Sequence, residues 1–248
     1  MYNAELGGVV HFIKAVPSAE LLFNELAASM LYRRVYKVEA LLMLPVLNDG
    51  VLPGKGRYML ASPRMEGDTC ASTSSRLCAP LYRGPQPGGP ALRGGIEGLL
   101  ADCVLMNWDA VTSGNVGVRP NGSVVRLDVG GALAFRALGG PRQMAPVPDE
   151  HRRFFEPNNA GYRVFRHMRR SHVRSVLAVV ARFDRSELDA VCDELVALAG
   201  GLPSLESRRV TAMMGRIKEA VVRRQAFYAR DPAALGAELR ERADALKK

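Results

Sequence analysis

Apolar and polar positions alternate or cluster in ways that change sharply along this chain. Val9 to Ala15 (VVHFIKA) is rich in β-branched and aromatic residues and predicts a strand. Pro17-Ser18 then opens a helix, with Ser18 as its N-cap and Leu22, Leu26, Ala27 and Met30 at helical spacing. Ala40 to Leu47 is an almost unbroken apolar run and predicts a buried strand. Gly50 to Gly56 reads as a turn, and Arg57 to Ser62 as a further strand. From Asp68 to Gly95 periodicity is lost among Ser, Pro and Gly clusters, so this stretch predicts one long flexible loop.

The helical period returns from Ile96 to Met106. A turn (Thr112 to Asn115), a short strand, the turn Pro120-Asn121-Gly122 and the strand Val124 to Leu127 predict a hairpin. The rest is helical. Ser186 is placed to cap a helix carrying Leu188, Val191, Leu195 and Leu198, ended by Gly200-Gly201-Leu202-Pro203. A long helix spans about Leu205 to Tyr228, and a last one starts at Asp231-Pro232. The expected division is a small lobe over 1–67, a flexible insertion over 68–95 and a mainly helical lobe over 96–248.

Composition adds limits. The 248 residues, 48% hydrophobic and 24% charged, are an ordinary globular balance. No apolar run reaches the roughly 18 residues of a bilayer span. The start, MYNAELGGVV, lacks a secretory pattern. Cys70, Cys78, Cys103 and Cys192 form no CxxC pair, which points to reduced thiols and a cytoplasmic, intracellular protein, one open to expression in or delivery into a host cell. The net charge of +9 leaves anionic partners open, with the densest cluster at Arg166 to Arg174. That cluster reads either as a solvated helix face or as a patch for an anionic partner. Trp108 reads as a core anchor.

Phosphoryl transfer asks little of a protein: a cation on the phosphates, a carboxylate holding that cation, a carboxylate orienting the acceptor, and oxygen ligands for Mg²⁺. This chain offers each in kinase order. Lys14 lies in the first predicted strand and Glu25, eleven residues on, lies in the helix after it. Asp109 follows a helix, Asn115 comes six residues later, and Asp128 ends the hairpin ahead of Val129-Gly130-Gly131. The bland alternative makes these turn and cap residues.

The block LADCVLMNWDAV, with NV.V.PNGSVVRLDVGGALAFRALGG after it, resembles HipA-type kinases, phosphatidylinositol kinases and the actin–fragmin kinase catalytic domain. The resemblance extends back over FIKAVPSAELLFNELAASMLYR and forward to EPNNAGYRVFRHM. It implies an α+β, bilobal protein-kinase-like fold with a reduced N-terminal lobe, and an ATP- and Mg²⁺-dependent atypical kinase acting on a Ser or Thr hydroxyl of a protein substrate. Lys14 would then touch the phosphates with Glu25 as its partner, and Asp109 would be the base. Asn115 and Asp128 would bind Mg²⁺, and Met65 and Glu66 would meet the adenine. Two departures stand out. Gly114 replaces the Asp that relatives carry before the turn Asn. Only thirteen residues precede Lys14, where kinases have two strands and a glycine-rich loop, and Gly7-Gly8 reads either as a short substitute for that loop or, preferably, as a plain turn. The alternatives are a pseudokinase scaffold and, more distantly, a basic nucleic-acid-binding protein.

Overall fold

The computed structural model describes all residues except 1, 7, 49–55, 72–74, 85–91, 137–138, 145–149, 160 and 247–248. Strands β1 (Tyr2–Leu6) and β2 (Val9–Val16) form an antiparallel hairpin. Gly8 turns it with φ +78°, a conformation that side chains other than glycine resist. The reading of this point as a turn holds at Gly8; Gly7 lies outside the described residues.

The hairpin belongs to a four-stranded sheet of order β1-β2-β4-β3, with β3 at Leu44–Leu47 and β4 at Tyr58–Pro63. Pairing of Phe12 with Ser62 and of Lys14 with Leu60 puts these four on one face, since side chains alternate along a strand. Ile13, Met59 and Ala61 pack on the other face. The apolar run from Ala40 to Leu47 is not one buried strand. Only Leu44–Leu47 is a strand, a sheet edge with Leu44 and Leu47 exposed, while buried Ala40 makes a separate parallel bridge to Arg126. Pro45 explains the edge position, because a residue without an N–H is tolerated at an edge and not in a sheet centre.

Helix α1 (Ala19–Met30) crosses the sheet and runs on into a π turn, Leu31–Val35. The Leu21 N–H donates to the Ser18 hydroxyl at 3.3 Å, satisfying an orphan donor of the first turn. Leu22, Phe23, Leu26 and Ala27 are its buried stripe.

A second sheet, of order β5-β6-β7, joins β5 (Asp68–Thr69) to the predicted hairpin, β6 (Val116–Val118) and β7 (Val124–Arg126). The stretch from 68 to 95 is therefore not a single loop. After β5 it carries a disulfide between Cys70 and Cys78, correcting the reading of four free thiols and removing the cysteine argument for a cytoplasmic location. Helix α2 (Ala79–Arg83) comes next, with Leu81 and Tyr82 buried and the Tyr82 hydroxyl donating to Val111 O at 3.2 Å.

The remaining helices are α3 (Leu99–Val104), α4 (Glu150–Arg153), α5 (Tyr162–Phe165), α6 (Arg170–Ala181), α7 (Arg185–Ala199), α8 (Ser204–Ala229) and α9 (Pro232–Ala245). Asp184, not Ser186, caps α7, accepting from the Ser186 and Glu187 amides. Asp231 caps α9 ahead of Pro232, as its sequence predicts. One core runs continuously from α1 through α3 to α7 and α8. Cys103 and Cys192 are free thiols within it. Among the described residues no helix is long and apolar enough to cross a membrane.

Candidate functional site

Three separate elements deliver charged groups to one place. Lys14, at the middle of β2, points its ammonium at Glu25 of α1, with Nζ 2.8 Å from Oε1. The same Nζ lies 3.4 Å from Asp128 Oδ1, just past β7. Glu25 is buried and Asp128 is half exposed, so the cluster opens outward on its Asp128 side. Burial disfavours the Lys14 ammonium, but the Glu25 and Asp128 carboxylates outweigh it and hold the pKa above the ordinary lysine value.

Asp128 is itself held from behind. The Gly130 N–H donates to its Oδ1 at 3.0 Å. A Cβ on Gly130 would stand 2.6 Å from Glu25 Oε1, so only glycine lets this segment pass so close to the Lys14–Glu25 pair. Next in α1 to Glu25, buried Asn24 donates to Ala132 O at 2.9 Å and accepts from the Ala134 N–H at 3.0 Å. The segment after Asp128 is thus laced to α1 through a residue to which the sequence alone assigns no role.

Asp109 and Asn115 meet as their spacing suggests. The Asn115 amide nitrogen donates to both the backbone oxygen and Oδ2 of Asp109, each at 3.1 Å. Two backbone turns close the loop between them, Thr112 N–H to Asp109 O at 3.0 Å and Asn115 N–H to Thr112 O at 2.9 Å. Leu127 N–H donates to Asn115 O at 2.7 Å, which ties this loop to the end of β7. Burial lifts the Asp109 carboxyl above the usual aspartate range, with the neighbouring Asp128 charge adding to the rise.

Between the two sheets lies a cleft of about 740 Å³, the size of an ordinary small-molecule site. Phe12, Leu41, Met43, Leu60 and Met65 supply apolar walls, while Lys14, Glu25 and Asp128 gather at one side. Ala71 and Ser75, inside the disulfide-closed segment, and Thr69 just before it also line the cleft. The Ser113 hydroxyl donates to Cys70 O at 2.9 Å, joining that segment to the Asp109–Asn115 loop. Of the two residues expected at the adenine, Met65 lines the cleft, whereas Glu66 is exposed and does not.

Behind the site lies a sealed polar cluster with no local signature in the sequence. Asp102 and Arg126 are wholly buried and paired at 2.7 Å, and the Tyr32 hydroxyl donates to Asp102 at 2.8 Å. Arg126 also donates to Gly95 O at 3.1 Å. Because Arg126 ends β7 two residues before Asp128, this cluster sets where Asp128 emerges. Trp108 is not a core anchor either: it is exposed, with the guanidiniums of Arg142 and Arg153 over its ring. In the basic stretch from Arg166 to Arg174, Arg166 and His167 hold Tyr82 O and Arg170 pairs with Asp244, while Arg169 and Arg174 are exposed.

No protein-family profile matches this sequence, and no curated protein matches it. Among solved structures the fold is similar to the Helicobacter pylori proinflammatory kinase CtkA, at 10% identity, a TM-score of 0.51 and coverage of 90% of each chain. The architecture of this chain, small sheets joined to a mostly helical remainder, is kinase-like.

Proposed function

We propose that this chain is an ATP- and Mg²⁺-dependent atypical kinase of the HipA and phosphatidylinositol-kinase-like group, transferring the γ-phosphoryl group to a Ser or Thr hydroxyl of a protein. The observation that carries this reading is the convergence of Lys14, Glu25 and Asp128 from three elements at one side of a mostly apolar cleft. A cation braced by a buried carboxylate, beside a second and half-exposed carboxylate, suits a triphosphate and its metal.

The residues present fit Mg²⁺·ATP. Asp128 offers a hard oxygen donor that water can reach. Asn115 commits its amide nitrogen to Asp109, so the donor left to it for a metal is its carbonyl oxygen. Lys14 would hold the phosphates, and Phe12, Leu60 and Met65 would pack on the base. When bound, Mg²⁺·ATP supplies the transferable phosphoryl group and the counter-charge for it. Asp109 would accept the acceptor hydroxyl proton, a role that its raised pKa favours because a base works best when its own affinity for protons is not too low. In this reading residues 1–67 and 96–248 act as the two lobes.

Calorimetry with and without Mg²⁺, on the parent and on Asp128→Asn, tests this. The expected result is binding of ATP that needs Mg²⁺ and is lost in the variant, while the melting temperature hardly changes. A parent that binds no nucleotide overturns the proposal and favours a scaffold that keeps the fold alone.

A further inference from the structure

Trp108 precedes Asp109 in the chain, yet it is exposed. Arg142 and Arg153 place their guanidinium carbons 5.0 and 5.2 Å from the centroid of its ring. Arg142 is close enough to Asp109 and Arg136 for their charges to act on it; burial lowers its pKa, Asp109 opposes this and Arg136 adds to it. Among the described residues no carboxylate lies within ion-pairing distance of Arg136, Arg142 or Arg153. Neighbouring arginines differ: Arg152 pairs with Glu238, Arg170 with Asp244 and Arg224 with Glu150. None of Trp108, Arg136, Arg142 and Arg153 lines the nucleotide cleft.

Guanidiniums gathered with no carboxylate at ion-pairing distance make a positive field, and a field beside a cleft concentrates anionic partners there. A hydroxyl held at Asp109 carries its own chain with it, and an extended chain advances about 3.3–3.6 Å per residue. Residues flanking that hydroxyl come within reach of Trp108, of Arg142 and Arg153 over its ring, and of Arg136 beside Arg142. We infer that the acceptor is a Ser or Thr within an acidic protein segment, whose carboxylates are received by Arg136, Arg142 and Arg153 around Trp108. The inference rests on the kinase reading above and adds the substrate class to it. The basic stretch from Arg166 to Arg174 has part of its charge engaged with Tyr82 O and Asp244. Of the three arginines near Asp109, Arg142 donates to Met106 O but has no carboxylate within ion-pairing distance, and Arg136 and Arg153 are exposed.

Trp108 is the single tryptophan of the chain, so its emission reports on this surface alone. The test titrates the protein, at low and at physiological salt, with a short peptide bearing a central serine flanked by glutamates, and with the same peptide flanked by lysines. The acidic peptide is expected to shift Trp108 emission saturably, to bind at least about tenfold tighter than the basic one, and to weaken as salt rises. Arg153→Glu and Arg136→Glu, both at exposed positions, are each expected to lower acidic-peptide affinity by about tenfold. Two variants at separate points guard against a local folding defect in either. Equal affinity for the two peptides, or a Trp108 response to phosphatidylserine vesicles and not to the acidic peptide, overturns the inference. Mg²⁺·ATP calorimetry on the parent separates the two proposals. Its failure overturns the kinase reading, whereas nucleotide binding without any acidic preference overturns this inference alone.

Discussion

Two ion-pair clusters stand a few residues apart, at the end of β7 and just beyond it, and they differ in nearly everything except their charges. Asp102 and Arg126 are closed off from water, and Tyr32 and the backbone around Gly95 complete their hydrogen bonds. Lys14, Glu25 and Asp128 are left open, with Asp128 49% exposed and Glu25 Oε2 buried without a partner. A sealed, satisfied network specifies position, since any other arrangement strands a charge in the core. An open one keeps unused capacity for a ligand. The first cluster holds the strand end in place, and the second is left facing the cleft.

Breaking the sealed cluster should therefore have the larger effect on stability. Asp102→Asn strands the Arg126 guanidinium in a site closed to water, and a loss of about 3–5 kcal/mol is expected in denaturant unfolding. A loss under about 1 kcal/mol would show that water reaches Arg126 and that the contrast between the clusters is false. Reducing the Cys70–Cys78 disulfide comes next. A ring closed across a sequence separation of eight is worth about 2–3 kcal/mol in the chain-entropy account. Melting with and without dithiothreitol should show that decrement, together with weaker nucleotide binding, because the ring carries part of the cleft lining. An unchanged melting curve would mean that packing, not the covalent link, holds this wall. Glu25→Gln is expected to have the smallest effect on folding, about 1 kcal/mol or less, because Lys14 is 38% exposed and water can replace its partner. Its effect on Mg²⁺·ATP affinity should nonetheless be clear by calorimetry. Large unfolding with intact nucleotide binding would reverse the assignment of the open cluster.

The open cluster is also the legible one. A lysine in a strand, a glutamate eleven residues on and a DVGG after a hairpin are local patterns, and local patterns survive in sequence. The Asp109–Asn115 contact spans six residues and is readable for the same reason. The Asp102–Arg126 pair joins a helix to a strand twenty-four residues away, and nothing in either segment says that both will be buried. The disulfide lacks any motif, and its serine-rich surroundings look like loop. Leu81 and Tyr82 are hidden by the same surroundings, because a helix as short as Ala79–Arg83 cannot display a period. The run from Ala40 to Leu47 misleads in the opposite sense: it is apolar enough for a core strand, but its proline confines the extended part to an edge. Trp108 shows that residue type is a weak guide to burial where charged neighbours can cover the ring.

Asn24 and Glu25 are consecutive residues on a single turn of α1, yet they serve different masters: Glu25 grips β2 through Lys14, and Asn24 grips the chain beyond Asp128 through Ala132 and Ala134. A helix is stiff over so short a span, so it works as a lever with both loads on one arm. Tilting it to release Lys14 also drags on Ala132, and pulling on Ala132 also loads Lys14. Linkage makes that exchange reciprocal: whatever free energy the Lys14–Glu25 contact lends to the Asn24 contact, the Asn24 contact lends back in equal measure.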